Sequence, residues 1–217
     1  MGYFITFEGV EGCGKTTQIK LLGEHLKSLG YRVVLTREPG GCPIADKIRA
    51  ILLDAENCGM LPLAELLLYA AARAQHVAEV IIPAINSGCV VLCDRFTDAT
   101  IAYQSAGRGI DLNTINILNQ LACQSVKPDL TILIDCDAET GVKRARQRIE
   151  SVSGPREERF ELEAMEFHHR VREGYLALAK QEAQRFLLVD GSNSIETISE
   201  VIAEQITLQL KNLNHAV

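Results

Sequence analysis

Five short apolar runs punctuate the chain, at residues 3–7 (YFITF), 31–36 (YRVVLT), 89–93 (CVVLC), 130–134 (LTILI) and 186–189 (FLLV). Each is too short for a helix and is closed by glycine, proline or charged residues, so each predicts a buried strand. Between them the spacing switches to helical period. Ile19, Leu22, Leu26 and Leu29 share one face of a first helix, and similar patterns predict helices over 45–53, 63–85, 112–125, 138–149 and 195–210. Pro62 opens the longest of these and Asn86-Ser87-Gly88 stops it. Pro83 falls in its last turn, where a missing N–H should end or bend it. Strands alternating with helices predict a parallel sheet covered on both faces. Ligands of such sheets bind beyond the carboxyl ends of the strands. Arg37, Asp94, Arg95 and Asp135 all fall at those ends, together with the loop that follows the first strand.

That loop changes the picture from fold to chemistry. Gly9, four residues, then Gly14-Lys15-Thr16 satisfies the pattern of a phosphate-binding loop, with a predicted strand before it and a predicted helix after it. Its glycines let the backbone wrap so that N–H groups point at phosphate oxygens, and the helix N-terminus adds a favourable dipole. Lys15 would reach the β- and γ-phosphates and the Thr16 hydroxyl would ligate magnesium. The fold class is therefore α/β: a three-layer sandwich of the P-loop NTPase type around a five-stranded parallel sheet.

Composition narrows the setting. At 217 residues the chain predicts a single domain, and 47% hydrophobic content is enough for a packed core. A formal charge of −6 argues against nucleic acid or an acidic membrane as partner, and no apolar stretch reaches the length of a span. Seven cysteines without paired spacing give neither a disulfide framework nor a zinc site, which points to a reducing cytoplasm. Cys13 lies inside the phosphate loop, where exposure to modification is expected.

From Lys143 to Arg172 the chain carries eight basic and six acidic side chains, broken at Ser151-Val152-Ser153-Gly154-Pro155. A solvated charged hairpin would have this pattern. So would a closing lid, about 146–160, that carries arginines over the γ-phosphate and excludes water. The base-reading N-K-x-D and switch D-x-x-G patterns of GTPases are missing from usable positions. Arg37, Arg73 and Arg95 suggest a second anionic substrate.

FEGVEGCGKTT, TREPGG, LLLYAAARAQH, DRFTDATIAYQSAGRG and PDLTILIDCD resemble, in order, the segments of bacterial thymidylate kinases. The resemblance runs essentially the length of the chain. It implies transfer of the γ-phosphoryl group of MgATP to dTMP, with ATP and dTMP as partners, Mg2+ as cofactor and a homodimer as assembly. The donor site it implies is Gly9, Val10, Glu11, Gly12, Cys13, Gly14, Lys15, Thr16 and Thr17, with Arg144 packing on adenine. Glu11 resembles the acid that holds the acceptor's 3′-hydroxyl. Arg37 and Arg95 resemble clamps on the acceptor phosphate and transferring group, beside Pro39; either could instead form a surface ion pair. Asp94 would organise magnesium directly or through its water shell, or pair with Arg95. Tyr69 would stack on thymine, Arg73 reach its O4 edge, and Thr100 and Gln104 complete the base site. Tyr103 would stand against the sugar 2′-carbon.

Lys15, Arg95, Asp94 and Glu11 are thus the expected catalytic set, and one member is still missing. Val10, Glu11, Gly12 and Cys13 supply no arginine within the loop, so charge on the transferring group must be met from the lid. Arg148 is the expected clamp, with Arg156 and Arg159 as alternatives. Ser105 stands where the family commonly has glycine, and Glu158-Arg159-Phe160-Glu161 where Asp-Arg-Ile-Glu is typical. For the dimer, Leu66-Leu67-Leu68 and Val80-Ile81-Ile82 could supply a helix interface or could be core.

Overall fold

The structure, a computed structural model, describes residues 2–150 and 159–215, without the side chains of Arg148, Glu150, Asn214 and His215. Five parallel strands, β1 (Tyr3–Glu8), β2 (Val33–Arg37), β3 (Val90–Asp94), β4 (Leu130–Asp135) and β5 (Phe186–Asp190), lie in the order β2-β3-β1-β4-β5. All five runs of the sequence pattern became strands, each extended by one charged residue at the carboxyl end. The register sets Phe7, Asp94 and Arg37 level with one another across β1, β3 and β2. One row of the sheet therefore aims the phosphate loop and two charged side chains at the same edge.

Alternation along β1 divides the core. Ile5 and Phe7 pack toward α1 (Lys15–Ser28) and α9 (Ile195–His215), against Leu22, Leu26, Ile202 and Ile206. Phe4 faces the opposite layer, where Val91, Cys93 and Phe96 meet Val77 and Ile81. Each such side chain taken fully out of water is worth about 1.5–3 kcal/mol, so both sheet faces are held firmly. The run at 31–36 departs from expectation. As β2 it sits at the sheet edge, only part-buried, with Leu35 exposed, because no further strand covers its outer side. Its apolar composition is that of a central strand, which is why the pattern misled.

The helices follow their local signals. Pro43 and Pro62 start α2 (Pro43–Leu53) and α3 (Pro62–His76), where a missing N–H costs nothing. The Asp111 carboxylate accepts from the Thr114 N–H at 3.0 Å and caps α6 (Leu112–Cys123). The stretch predicted as one long helix is interrupted. A wide turn at Val77–Ile81 separates α3 from α4 (Ile82–Asn86). Pro83 cannot donate to the Glu79 carbonyl, and the helix widens just before it instead of ending. A second wide turn, Ile101–Gly107, follows the short α5 (Thr97–Thr100) and packs against α8 (Met165–Gln181). The remaining helix, α7 (Ala138–Glu150), leads toward the expected lid, and residues 151–158 of that lid lie outside the described residues.

Candidate active site

A cleft of about 1430 Å3 opens at the carboxyl ends of β1, β2 and β3. Gly14 takes the left-handed conformation at the start of α1 and no side chain caps the helix, so its first N–H groups face the cleft. Gly9 and Gly12 also have positive φ, and a Cβ on Gly12 would strike the Gly141 carbonyl of α7. Glycine is therefore required both for the wrap of this loop and for its packing. Gly12, Gly14, Lys15, Thr16 and Thr17 line the cleft. Val10 and Cys13 do not; both are 2% exposed and turn into the core. The expected exposure of Cys13 is corrected accordingly: its thiol is sealed beneath the loop.

Lys15 folds back within the loop, donating to the carbonyls of Gly9 at 3.0 Å and Val10 at 2.8 Å. The Thr16 hydroxyl donates to Asp94 Oδ2 at 3.0 Å, which brings the two expected magnesium residues together. Two hard oxygen donors facing open space suit a small divalent cation that keeps most of its water and phosphate ligands. Among the described residues no cluster of three or more His, Cys, Asp or Glu could cage a metal by itself.

Glu11 is the centre of the loop's charge. Its Oε1 accepts from Tyr103 Oη at 2.5 Å and from Arg95 Nη2 at 3.1 Å, while Oε2 is buried without a hydrogen bond, 3.7 Å from His168 Nδ1. Burial alone would raise this carboxyl's pKa. The Arg95 guanidinium, with His168, Lys15 and Tyr103, outweighs that and holds it at about 2. Arg95 itself has a left-handed backbone, φ 69°, unusual for arginine. That twist lets its side chain reach the Gly9 carbonyl at 2.9 Å and the Tyr175 hydroxyl at 3.0 Å. Tyr175 in turn donates to Glu8 at 2.7 Å, and Glu8 accepts from the Phe96 N–H, so the carboxylate at the end of β1 fixes the turn that carries Arg95.

The acceptor-side residues line the same cleft. Arg37 is exposed and pairs with Asp46 at 3.5 Å, the surface ion pair that the sequence left open. Pro39, Tyr69, Arg73, Thr100, Tyr103 and Gln104 form a wall. Arg73 is buried and donates to Glu38 at 2.7 Å, Asn119 at 2.8 Å and the Phe96 carbonyl at 3.0 Å. Thr100 Oγ1 is buried without a partner. Ser105 donates to the Ile110 carbonyl at 2.9 Å and so ties down the turn after the wall.

Other expectations change. Asp135, although at a strand end, is held by Arg172 of α8 at 2.7 and 2.8 Å and does not line the cleft. The lid arginines separate. Arg144 is exposed and lines the cleft; Arg146 binds the Glu161 carbonyl at 2.7 Å. Arg159 is 5% exposed, paired with Glu65 at 2.6 Å and with the Leu52 carbonyl at 2.5 Å, so it is an anchor and not a free clamp. The Arg148 side chain and all of Arg156 lie outside the described residues. Sequence reasoning missed Phe160, which packs on Tyr103 at 5.5 Å and closes the wall, and missed Glu65 and His168. His168 is fully buried, neither ring nitrogen has a partner, and Nδ1 stands 3.7 Å from Glu11.

Comparison with known proteins gives a consistent result. A family model described as thymidylate kinase matches residues 7–202. The chain is 68% identical over 217 residues to a thymidylate kinase of Pelobacter propionicus, covering 100% of this chain and 99% of that one. It is 61% identical over 207 residues to one from Trichlorobacter lovleyi, covering 95% and 98%. A crystal structure of thymidylate kinase from Ehrlichia chaffeensis superposes with a TM-score of 0.75 at 36% identity, covering 94% of this chain and 98% of that one.

Proposed function

This chain belongs to the thymidylate kinase family, and from that premise we propose how its residues carry the ATP-dependent phosphorylation of dTMP to dTDP. The observation that carries the reading is Glu11. A carboxylate within the phosphate loop, with one oxygen bound to Arg95 and Tyr103 and the other without a hydrogen bond beside His168, joins the donor cradle to the acceptor wall. Glu11 Oε2 accepts the acceptor's 3′-hydroxyl, and the Tyr103 ring disfavours a 2′-hydroxyl. Arg95 faces the oxygens of the transferring group, and Arg37 exchanges Asp46 for the acceptor phosphate. Tyr69, Arg73, Thr100 and Gln104 hold the base, with Pro39 as part of the wall.

On the donor side the N–H groups from Gly9 to Thr17 cradle phosphates, and Lys15 leaves the loop carbonyls for the β- and γ-phosphates. Thr16 and Asp94 would hold Mg2+, which would supply neutralising charge at the phosphates. Arg144 packs on adenine, and Arg148 is the clamp that the loop lacks. The whole chain works as one domain with its lid.

The resemblance also implies a homodimer, and exposed apolar side chains suggest where. Leu63 and Leu67 on α3 and Ile117 and Leu121 on α6 are exposed, while Leu66 and Ile81 are core. α3 and α6 are packed neighbours, so the two pairs can contribute to one face. Among the described residues no helix is long and apolar enough to cross a membrane.

The test is a coupled assay offering dTMP, dUMP, UMP, CMP and AMP with MgATP. dTMP should be the fastest acceptor; turnover of UMP or CMP at an equal rate would overturn the substrate reading.

A further inference from the structure

We propose that Glu65 is a specificity-positioning residue: it fixes which end of the Gln104 carboxamide faces the cleft, and thereby makes that side chain an acceptor toward the substrate base. This rests on the reading of dTMP as acceptor and adds a residue that does not itself line the cleft.

Glu65 lies on α3 with no exposure at all. Its Oε1 accepts from Gln104 Nε2 at 2.8 Å, and its Oε2 accepts from Arg108 at 3.2 Å and Arg159 at 2.6 Å. A carboxylate facing two guanidiniums offers acceptors only. Gln104 must therefore present its NH2 end to Glu65, and the opposite assignment would set two acceptors against each other. Gln104 is itself 1% exposed and Glu65 fully buried, so in the wrong orientation two facing acceptors would be left buried and unsatisfied. Its Oε1 is left as the end that can face a ligand.

The neighbouring groups give that orientation meaning. Arg73 has five N–H donors and commits three of them within the protein, and it lines the same cleft as Gln104. The wall thus offers an acceptor together with a donor. Thymine and uracil present N3–H and O4, the complement of that pair. Cytosine presents an unprotonated N3 and an amino group, the reverse pattern. The sense of the Gln104 amide therefore rejects cytosine, and Glu65 sets the sense. Arg159 extends the dependence: the last residues of the expected lid segment supply part of the positive charge that keeps Glu65 an acceptor.

The test is the ratio of kcat/KM for dTMP to that for dCMP, which does not depend on the fraction of protein folded. Glu65→Gln introduces an amide that can donate to Gln104 Oε1 and let the carboxamide turn, so the ratio should fall by about tenfold or more. Glu65→Asp keeps an acceptor-only group and should retain the wild-type ratio even where both activities drop. Should Glu65→Gln not fold, Glu65→Gln with Arg159→Met removes the buried guanidinium that the neutral amide no longer balances, Arg108 keeping Glu163 at 2.6 Å, and the same fall is expected. An unchanged ratio in the Gln variants, or an equal fall in the Asp variant, would overturn the proposal and leave Glu65 a packing residue. Wild-type protein that does not prefer dTMP to dCMP would overturn the substrate reading beneath it, an outcome visible before any variant is made.

Discussion

Of two buried carboxylates, Glu11 lines the cleft and Glu65 does not, and they differ in how their oxygens are occupied. Glu11 is bound through one oxygen to Arg95 and Tyr103, while the other makes no hydrogen bond and faces His168 Nδ1 at 3.7 Å, at the lip of the cleft. Glu65 has both oxygens filled, by Gln104, Arg108 and Arg159, and lies behind the cleft wall. Each is surrounded by arginine, so charge alone would not tell them apart. What separates them is unspent acceptor capacity. A buried oxygen short of hydrogen bonds costs stability, and under our reading the acceptor's hydroxyl offsets that cost at Glu11.

The sharpest way to break the comparison is to remove Glu65. Glu65→Leu would leave Arg159 as a buried charge without its carboxylate partner, a loss of about 3–5 kcal/mol, while the part-buried Arg108 keeps Glu163 at 2.6 Å. Urea unfolding should show that drop, although Glu65 does not line the cleft. Glu11→Gln should invert the pattern: kcat/KM for dTMP falls about 100-fold, roughly 2.7 kcal/mol of transition-state stabilisation. A Glu11→Gln enzyme as active as wild type would remove Glu11 from the acceptor site.

Acid provides a milder separation. Glu11 has a folded pKa of about 2 against an ordinary 4.5, a depressed value. Its stabilising contribution is therefore complete above the ordinary value and is lost as pH falls toward 2. Between pH 7 and pH 3 this one group should cost the wild type about 2 kcal/mol of stability. In Glu11→Gln that part of the acid limb should be missing, so the two unfolding free energies converge at low pH. Parallel curves would show that Arg95 and Tyr103 do not hold the carboxylate as described.

The same two residues show what could be read from the sequence. Glu11 sits in a local pattern, since the spacing of Gly9, Gly14, Lys15 and Thr16 places it within a phosphate loop. Asp94-Arg95 was legible as a strand end, and Tyr69 and Arg73 as residues sharing one helical face, but a place for that pair in the cleft came only from the family resemblance. Glu65 carried no such signal. It is one acid on an amphipathic helix, and two of its partners come from 39 and 43 residues further on. Asp135 misled in the opposite direction, because a strand-end position does not reveal that Arg172 will occupy it from α8. The 31–36 run showed its strand but not its place at the sheet edge, which is set by the order of strands and not by any one of them.

The smallest effect concerns the lid, where the comparison of spent and unspent groups also applies. The phosphate loop contributes no arginine at Val10, Glu11, Gly12 or Cys13. Of the arginines near the lid, Arg146 binds the Glu161 carbonyl and Arg159 is sealed against Glu65 and Leu52, so freeing either would break contacts already made. Arg144 faces the cleft at the adenine end of our reading. The clamp is then sought at Arg148 or Arg156, and its position within α7, four residues beyond Arg144, favours Arg148. Arg148→Ala should lower kcat by more than about tenfold, or about 1.4 kcal/mol, with little change in dTMP affinity. That split distinguishes charge stabilisation of the transferring group from uniform substrate binding. An unchanged kcat would move the role to Arg156, since Arg159 can take it only by leaving Glu65.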